Sequence, residues 1–415
     1  MEQKVMNRWL VVVGAILIQL ALGAIYAWSV FTPDLVEAGW SKADTQWVFS
    51  IGLAAFAVFM VLSGKQMPKV GPQKLAILGG VLLGLGYILA GLFGGTDFWS
   101  LTLLIGLLGG AGIGIAYVVP IAVGMRWFPD KKGMITGLAV AGFGFGAMLW
   151  IKLADNWGNL LDSMGLSNVF TVYGIAFAAM VIIGGLWMKF PPAGWAPKGY
   201  EEKQATSSEG SKGIEFSSGE MLRKIQFYFI FFTFVFSAGA GLMSIGLMKL
   251  YPSEALIEAG YTKIQADLIA STAIAVFFSI ANGLGRILWG IISDSFGRKR
   301  SIILMTLIQG VTVIAFTYMA GNEYLLYIGA TLIGFNFGGN FALFPTITAE
   351  TFGVKNVGQN YPFVFLAYGV GGIGGPILGG MLGDMGQFPL AFTICGAAVL
   401  LGTILILTVK TPKRA

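Results

Sequence analysis

Twelve stretches of more than twenty predominantly apolar residues, separated by short polar loops, leave this chain few folds to choose from. They run at about 8–31, 46–66, 74–94, 99–125, 132–154, 168–189, 226–249, 267–293, 300–320, 323–348, 358–382 and 388–409. A bilayer core takes about 20 apolar residues of helix to cross, and a helix satisfies its own backbone in lipid. Charged residues make up only 11% of the 415, where a soluble domain carries about 25%. The chain therefore reads as an all-α membrane protein with twelve transmembrane helices. Its 61 glycines suit close helix packing in lipid. No cleavable signal peptide is evident, because the first span is long enough to cross by itself.

Lysine and arginine orient the helices. With the amino terminus in the cytoplasm, cytoplasmic segments hold 21 of the 26, from Lys4 and Arg8 through Lys65, Lys69 and Lys74 to Arg414. The outer loops hold Lys42, Lys152, Lys249 and Lys263. This predicts a multi-pass protein of the plasma (inner) membrane with both termini cytoplasmic. The basic residues are spread over many loops, which argues against a nucleic-acid partner. The longest polar stretch, after the sixth span, predicts a six-helix half at 1–190, a flexible cytoplasmic linker at 191–220 and a second six-helix half at 221–415. The halves repeat a loop. Gly64-Lys-Gln-Met-Pro-Lys-Val-Gly71 and Gly290-Ile-Ile-Ser-Asp-Ser-Phe-Gly297 share their glycine spacing and a basic ending. Two equivalent halves around a central site are what alternating access requires.

One residue breaks the apolar pattern. Arg286 is the only charge in the middle of a span, where insertion costs about 3 kcal/mol. The helix end at Asp294 is eight residues on, about 12 Å at 1.5 Å per residue, too far for comfortable snorkelling. A guanidinium there is a natural partner for a small carboxylate, which it matches in bidentate fashion. Asn282 lies one turn earlier on the same face. It either orients the arginine, donates to substrate, or glues helices together. The glycine runs at 110–114 and 369–375 lie inside apolar helices with no preceding strand, so they read as packing and bending positions rather than dinucleotide loops. Pro120, Pro345 and Pro376 are expected to kink their helices. There is no histidine, and the lone Cys395 permits neither an internal disulfide nor a cysteine metal site. No cofactor, metal or catalytic cluster is indicated.

The Gly290–Arg300 segment resembles the loop signature of the major facilitator superfamily. There an aspartate at the helix end caps the neighbouring helix and ties it to basic residues, a latch that the resemblance gives to Asp294, Arg298 and Lys299. The amino-terminal copy carries Pro68 at the aspartate position. Gly23-Ala-Ile-Tyr-Ala-Trp-Ser-Val-Phe31, Arg126-Trp-Phe-Pro-Asp-Lys-Lys-Gly133 and Pro191-Pro-Ala-Gly-Trp-Ala-Pro197 resemble the oxalate/formate antiporter family, whose animal relatives are the monocarboxylate transporters. Asn282-Gly-Leu-Gly-Arg286 resembles their arginine motif in span eight. The resemblance covers the whole chain and implies that Tyr26, Tyr117, Phe143, Phe337, Phe341 and Tyr368 line the substrate cavity. From sequence alone, Tyr26 reads equally as an interfacial aromatic, and any one Phe as ordinary packing.

Two departures bear on substrate. Tyr368 stands where the oxalate exchanger has a second cation, and Asn282 stands where the animal transporters have an aspartate. One buried cation balances a monoanion, whereas a dianion leaves net charge in low dielectric. The expectation is a transporter of a small monocarboxylate such as lactate or pyruvate, with a co-transported proton by resemblance. Asp34 and Asp267 are the candidate proton relays at the outer mouth. The alternatives are a formate/oxalate-type exchanger or a non-transporting carboxylate sensor. Beyond the bilayer no obligate protein partner is indicated, and the chain does not read as an enzyme.

Overall fold

A computed structural model describes residues 6–128, 132–155, 157–192, 195, 197, 215–353 and 357–409. Helix α1 (Trp9–Leu22) continues as a 3₁₀ stretch, Gly23–Val30, and is followed by the short α2 (Thr32–Glu37). Next come α3 (Lys42–Val70) and α4 (Pro72–Leu89), the latter extended by a π turn at Ala90–Gly94. Helix α5 (Phe98–Leu101) runs through a π segment, Thr102–Gly109, into α6 (Gly110–Trp127). Helices α7 (Lys132–Ala154) and α8 (Leu160–Gly185) complete the first six crossings. After the short α9 (Ser218–Met221), the second six begin with α10 (Ile225–Leu247) and the short α11 (Leu250–Glu258). Helix α12 (Lys263–Thr272) passes through a π segment, Ala273–Phe278, into α13 (Ser279–Phe296). Helices α14 (Arg298–Met319), α15 (Glu323–Phe352), α16 (Val357–Asp384) and α17 (Phe388–Thr408) follow.

Among the described residues, eleven of these crossings are long and apolar enough to span a bilayer, with mean hydropathy from 1.2 to 2.5. Helix α7, the remaining crossing, is 23 residues long with an apolar stretch at Val140–Ala154. The long helices alternate in direction, so an even number of crossings returns the chain to the face it started from. That face is called terminal below, and the opposite one distal.

The groups of six meet along two seams, α3 against α16 and α7 against α13. Glycine lets these helices touch. A Cβ on Gly144 of α7 would lie 2.7 Å from the backbone of Gly283 in α13, and one on Gly380 of α16 would lie 2.9 Å from the backbone of Ala43 in α3. Such contacts leave no room for a methyl group. Pro120, Pro345, Pro362 and Pro376 lie inside continuous helices.

The structure adjusts several expectations. The second crossing extends from Lys42 to Val70, so Lys42 begins a helix rather than lying in a loop. Lys152 likewise belongs to α7 and is buried, and Lys263 opens α12. The described end of the expected flexible linker is docked. Phe216 is buried, its N–H donates to the Phe352 carbonyl at 2.9 Å, and its own carbonyl accepts from Asn360 Nδ2 at 3.0 Å. Residues 193–194, 196 and 198–214 of that stretch, and residues 129–131 of the Arg126–Gly133 motif, lie outside the described residues. The repeated loops end their helices alike, at Gly71 (φ 88°) and Gly297 (φ 90°), where glycine carries no Cβ penalty.

The expected latch is rearranged. Arg298 pairs with Asp294 and donates Nε to Glu350 Oε1 at 3.0 Å, joining α14, α13 and α15. Lys299 does not reach Asp294. Its Nζ donates to the carbonyls of Leu407 and Val409, both at 2.8 Å, and so closes the carboxyl end of α17. No side chain caps α14, which starts from Gly297.

Candidate functional site

Helix α13 is amphipathic in an unusual sense: its inward face carries Asn282, Gly283, Arg286 and Trp289, all buried. The four-residue spacing stacks Asn282 over Arg286, and Arg286 Nε donates to Asn282 Oδ1 at 3.2 Å. Arg286 Nη1 crosses the seam to the Val140 carbonyl of α7 at 3.1 Å. The guanidinium lies 3.9 Å from the centroid of Phe341 and 5.3 Å from that of Phe143, cation–π distances worth about 2 kcal/mol when desolvated. Two donors are left over, Arg286 Nη2 and Asn282 Nδ2, both buried and without a hydrogen-bond partner. An unpaired buried donor costs about 1–3 kcal/mol. The two, one of them on the guanidinium itself, have the chemistry to hold an anion.

Two of the guanidinium's three nitrogens are thus engaged by the protein. A carboxylate can be held by Nη2 and Asn282 Nδ2, not by the two-nitrogen fork anticipated from arginine chemistry. Asn282 serves the arginine and keeps its amide N–H groups for something else.

Aromatic rings wall the site. Tyr26 packs edge-on against Phe143 at 4.9 Å and Phe337 at 5.7 Å, and Phe337 meets Phe341 at 5.4 Å. Tyr117 lies 5.4 Å from Phe143. Tyr368 donates its hydroxyl to that of Tyr26 at 3.0 Å, from one group of six to the other. Tyr26, Tyr117, Phe143, Asn282, Arg286, Phe337, Phe341 and Tyr368 are each at most 2% exposed, so all eight share one enclosed core. Tyr26 is therefore not an interfacial aromatic. Its 3₁₀ stretch, Gly23–Val30, is buried throughout, in the middle of the protein.

Three participants escaped sequence reasoning. Phe56 of α3 sits 4.9 Å from Tyr117, 5.5 Å from Tyr368 and 5.4 Å from Phe365. Phe365 stacks on Tyr368 at 5.0 Å. Tyr361, Phe365 and Tyr368 follow a four-then-three spacing that places them on one helix face, a signal available in the sequence. The Val140 carbonyl has no such signal, because any residue supplies one.

The proposed relays lie elsewhere. Asp34 is exposed on α2, at the distal face, and Asp267 is half-buried near the start of α12. Neither side chain hydrogen-bonds to a site residue among the described contacts. Surrounding protein raises the Asp34 carboxyl above its usual value, opposed by the charge of Lys249. Among the described residues no group of His, Cys, Asp or Glu side chains is arranged to hold a metal.

Twelve crossings in two groups of six, enclosing the buried Arg286 at their seam, are the architecture of a membrane transporter rather than an enzyme. The chain belongs to the Major Facilitator Superfamily, whose family model matches residues 10–266 and 250–415. It is 29% identical to an uncharacterized MFS-type transporter, YhjX, of Escherichia coli over 88% of this chain and 86% of that protein. It is 27% identical to the oxalate:formate antiporter of Oxalobacter formigenes, over 94% of this chain and 88% of the relative. It is 25% identical to monocarboxylate transporter 13 of Rattus norvegicus, over 96% and 88%. The oxalate/formate and monocarboxylate resemblance read from the motifs is thus found along nearly the full chain.

Proposed function

We propose that this transporter carries a small monocarboxylate, of the lactate or pyruvate type, by alternating access. The observation that carries the reading is the pair of unpartnered donors, Arg286 Nη2 and Asn282 Nδ2, beside a single cation and otherwise walled by aromatic rings. One positive charge with two free donors suits one carboxylate. The rings suit a short alkyl or keto group and exclude a hydrated second charge. Tyr368, hydrogen-bonded to Tyr26, offers hydroxyls and no charge. The relationship to a monocarboxylate transporter supports the same substrate class.

Coupling to a proton is part of the proposal, with the proton on the substrate carboxyl or on a carboxylate at the distal mouth. A cytoplasmic terminal face, in the plasma (inner) membrane, is part of the same proposal, and the bias of lysine and arginine toward that face supports the orientation. The relationship to an oxalate:formate antiporter supports a second reading, exchange of one carboxylate for another. Uptake of labelled lactate, pyruvate, formate and oxalate into proteoliposomes separates the two. Acid-driven accumulation without internal substrate supports symport. Uptake that needs internal substrate and ignores the pH gradient supports exchange. Preference for oxalate over every monocarboxylate refutes the one-cation argument.

A further inference from the structure

The distal face carries a repeat that the buried site does not use. Gly39-Trp-Ser-Lys-Ala-Asp44 and Gly260-Tyr-Thr-Lys-Ile-Gln265 stand at matching places, each just before the second crossing of its group. Both glycines turn with positive φ, 99° and 97°. Ser41 and Thr262 are the N-caps that follow, each in a reciprocal capping box, with Asp44 and Gln265 respectively. Each box fixes a lysine as the first residue of its helix, and each lysine reaches across to the other group of six. Lys42 Nζ meets Glu254 Oε1 on α11 at 2.6 Å, and Lys263 Nζ meets Glu37 Oε1 on α2 at 3.1 Å. The two glutamates lie on the short helices that link the first and second crossings of each group.

The amino end of α3 makes a further crossing contact. Its capping box satisfies the Asp44 N–H, and the N–H groups of Lys42 and Ala43 donate to the two oxygens of Asp384 at 2.8 and 3.1 Å. Asp384 ends α16, in the other group, and a carboxylate at a helix amino terminus is also favoured by the helix dipole. Lys249 and Asp155 add another crossing pair at 3.6 Å.

We propose that residues 39–44 and 260–265 are matched clasps that hold the distal mouth shut, released when the transporter opens toward that face. The proposal rests on the alternating-access reading but not on the identity of the substrate. The two clasps are unequal. Lys42 is 20% exposed and Glu254 45%, whereas Lys263 and Glu37 are 72% and 71% exposed. Pairs that exposed contribute little, so Lys42, Glu254 and Asp384 carry most of the closure.

Spin labels at the exposed distal positions Thr96 and Glu258, in a Cys395→Ser background, report the opening by double electron–electron resonance on the full chain in lipid nanodiscs. Combining Glu254→Gln with Asp384→Asn, both close in shape to the native residues, should raise the open-to-closed ratio about tenfold, the scale of lost charge-assisted contacts. Lys263→Met should change it less than about twofold. Raising salt from low ionic strength to about 1 M should open the unsubstituted clasp and leave the double variant unmoved. Unchanged distances in the double variant, a larger shift for Lys263→Met, or insensitivity to salt overturns the proposal. Because distances are read without substrate, failure here is distinct from failure of the monocarboxylate reading.

Discussion

Replacing Arg286 by methionine separates a binding cation from a structural one. The side chain makes two charge-assisted bonds, to Asn282 Oδ1 and the Val140 carbonyl, and lies over Phe341 at 3.9 Å. At about 1.5–3 kcal/mol per bond and about 2 kcal/mol for the ring contact, these contribute roughly 5–8 kcal/mol. Against them stand an effective burial penalty of several kcal/mol for the ion and about 1–3 kcal/mol for the unpartnered Nη2. The terms nearly cancel, and an unbranched apolar side chain replaces the arginine stem. Arg286→Met should therefore keep its thermal unfolding midpoint within a few degrees of the parent. Substrate binding has no such compensation. Removing the cation from a buried ion contact costs about 2–5 kcal/mol, or roughly 30-fold to several thousand-fold in Kd. Thermal unfolding of purified protein with and without lactate or pyruvate, read beside proteoliposome uptake, measures both quantities. A variant that is stable but deaf to substrate fits the reasoning. Retained substrate-induced stabilisation and uptake, or collapse of the fold, refutes it.

Asn282→Ala frees the Arg286 Nε and removes one of the two spare donors, so monocarboxylate affinity should fall about tenfold to a hundredfold, measured by competition against labelled substrate. Tyr368→Lys adds a second cation next to Tyr26 and should shift preference toward oxalate while costing little monocarboxylate binding, and an unchanged oxalate-to-lactate ratio counts against the charge argument. Desolvation by the protein packed around it raises the otherwise exposed Asp34 carboxyl from 3.8, so any stability it contributes is fully present below that value and is lost as pH climbs through the higher folded value. Asp34→Asn should accordingly raise the unfolding midpoint slightly at neutral pH and flatten its decline above pH 3.8, as followed by unfolding scans across the acid range.

What the sequence determined by itself was the scaffold and its one charged intruder. Apolar runs longer than a bilayer is thick admit only helices, and a mid-span arginine stands out because nothing else in the middle of its stretch carries a charge. Asn282 was legible too, because a four-residue spacing puts two side chains on one helix face whatever surrounds them. Tertiary structure alone decided where those groups point. Nη1 is taken by a backbone carbonyl of α7, which leaves one guanidinium nitrogen free, and no side-chain pattern announces a carbonyl partner. Lys299 turned to the end of α17 instead of Asp294 because the nearest open carbonyls belong to a helix more than a hundred residues away. Phe56 joined the site for the same reason. Burial in a helical bundle depends on which faces of distant helices meet, and periodicity along one helix records only that a face is apolar.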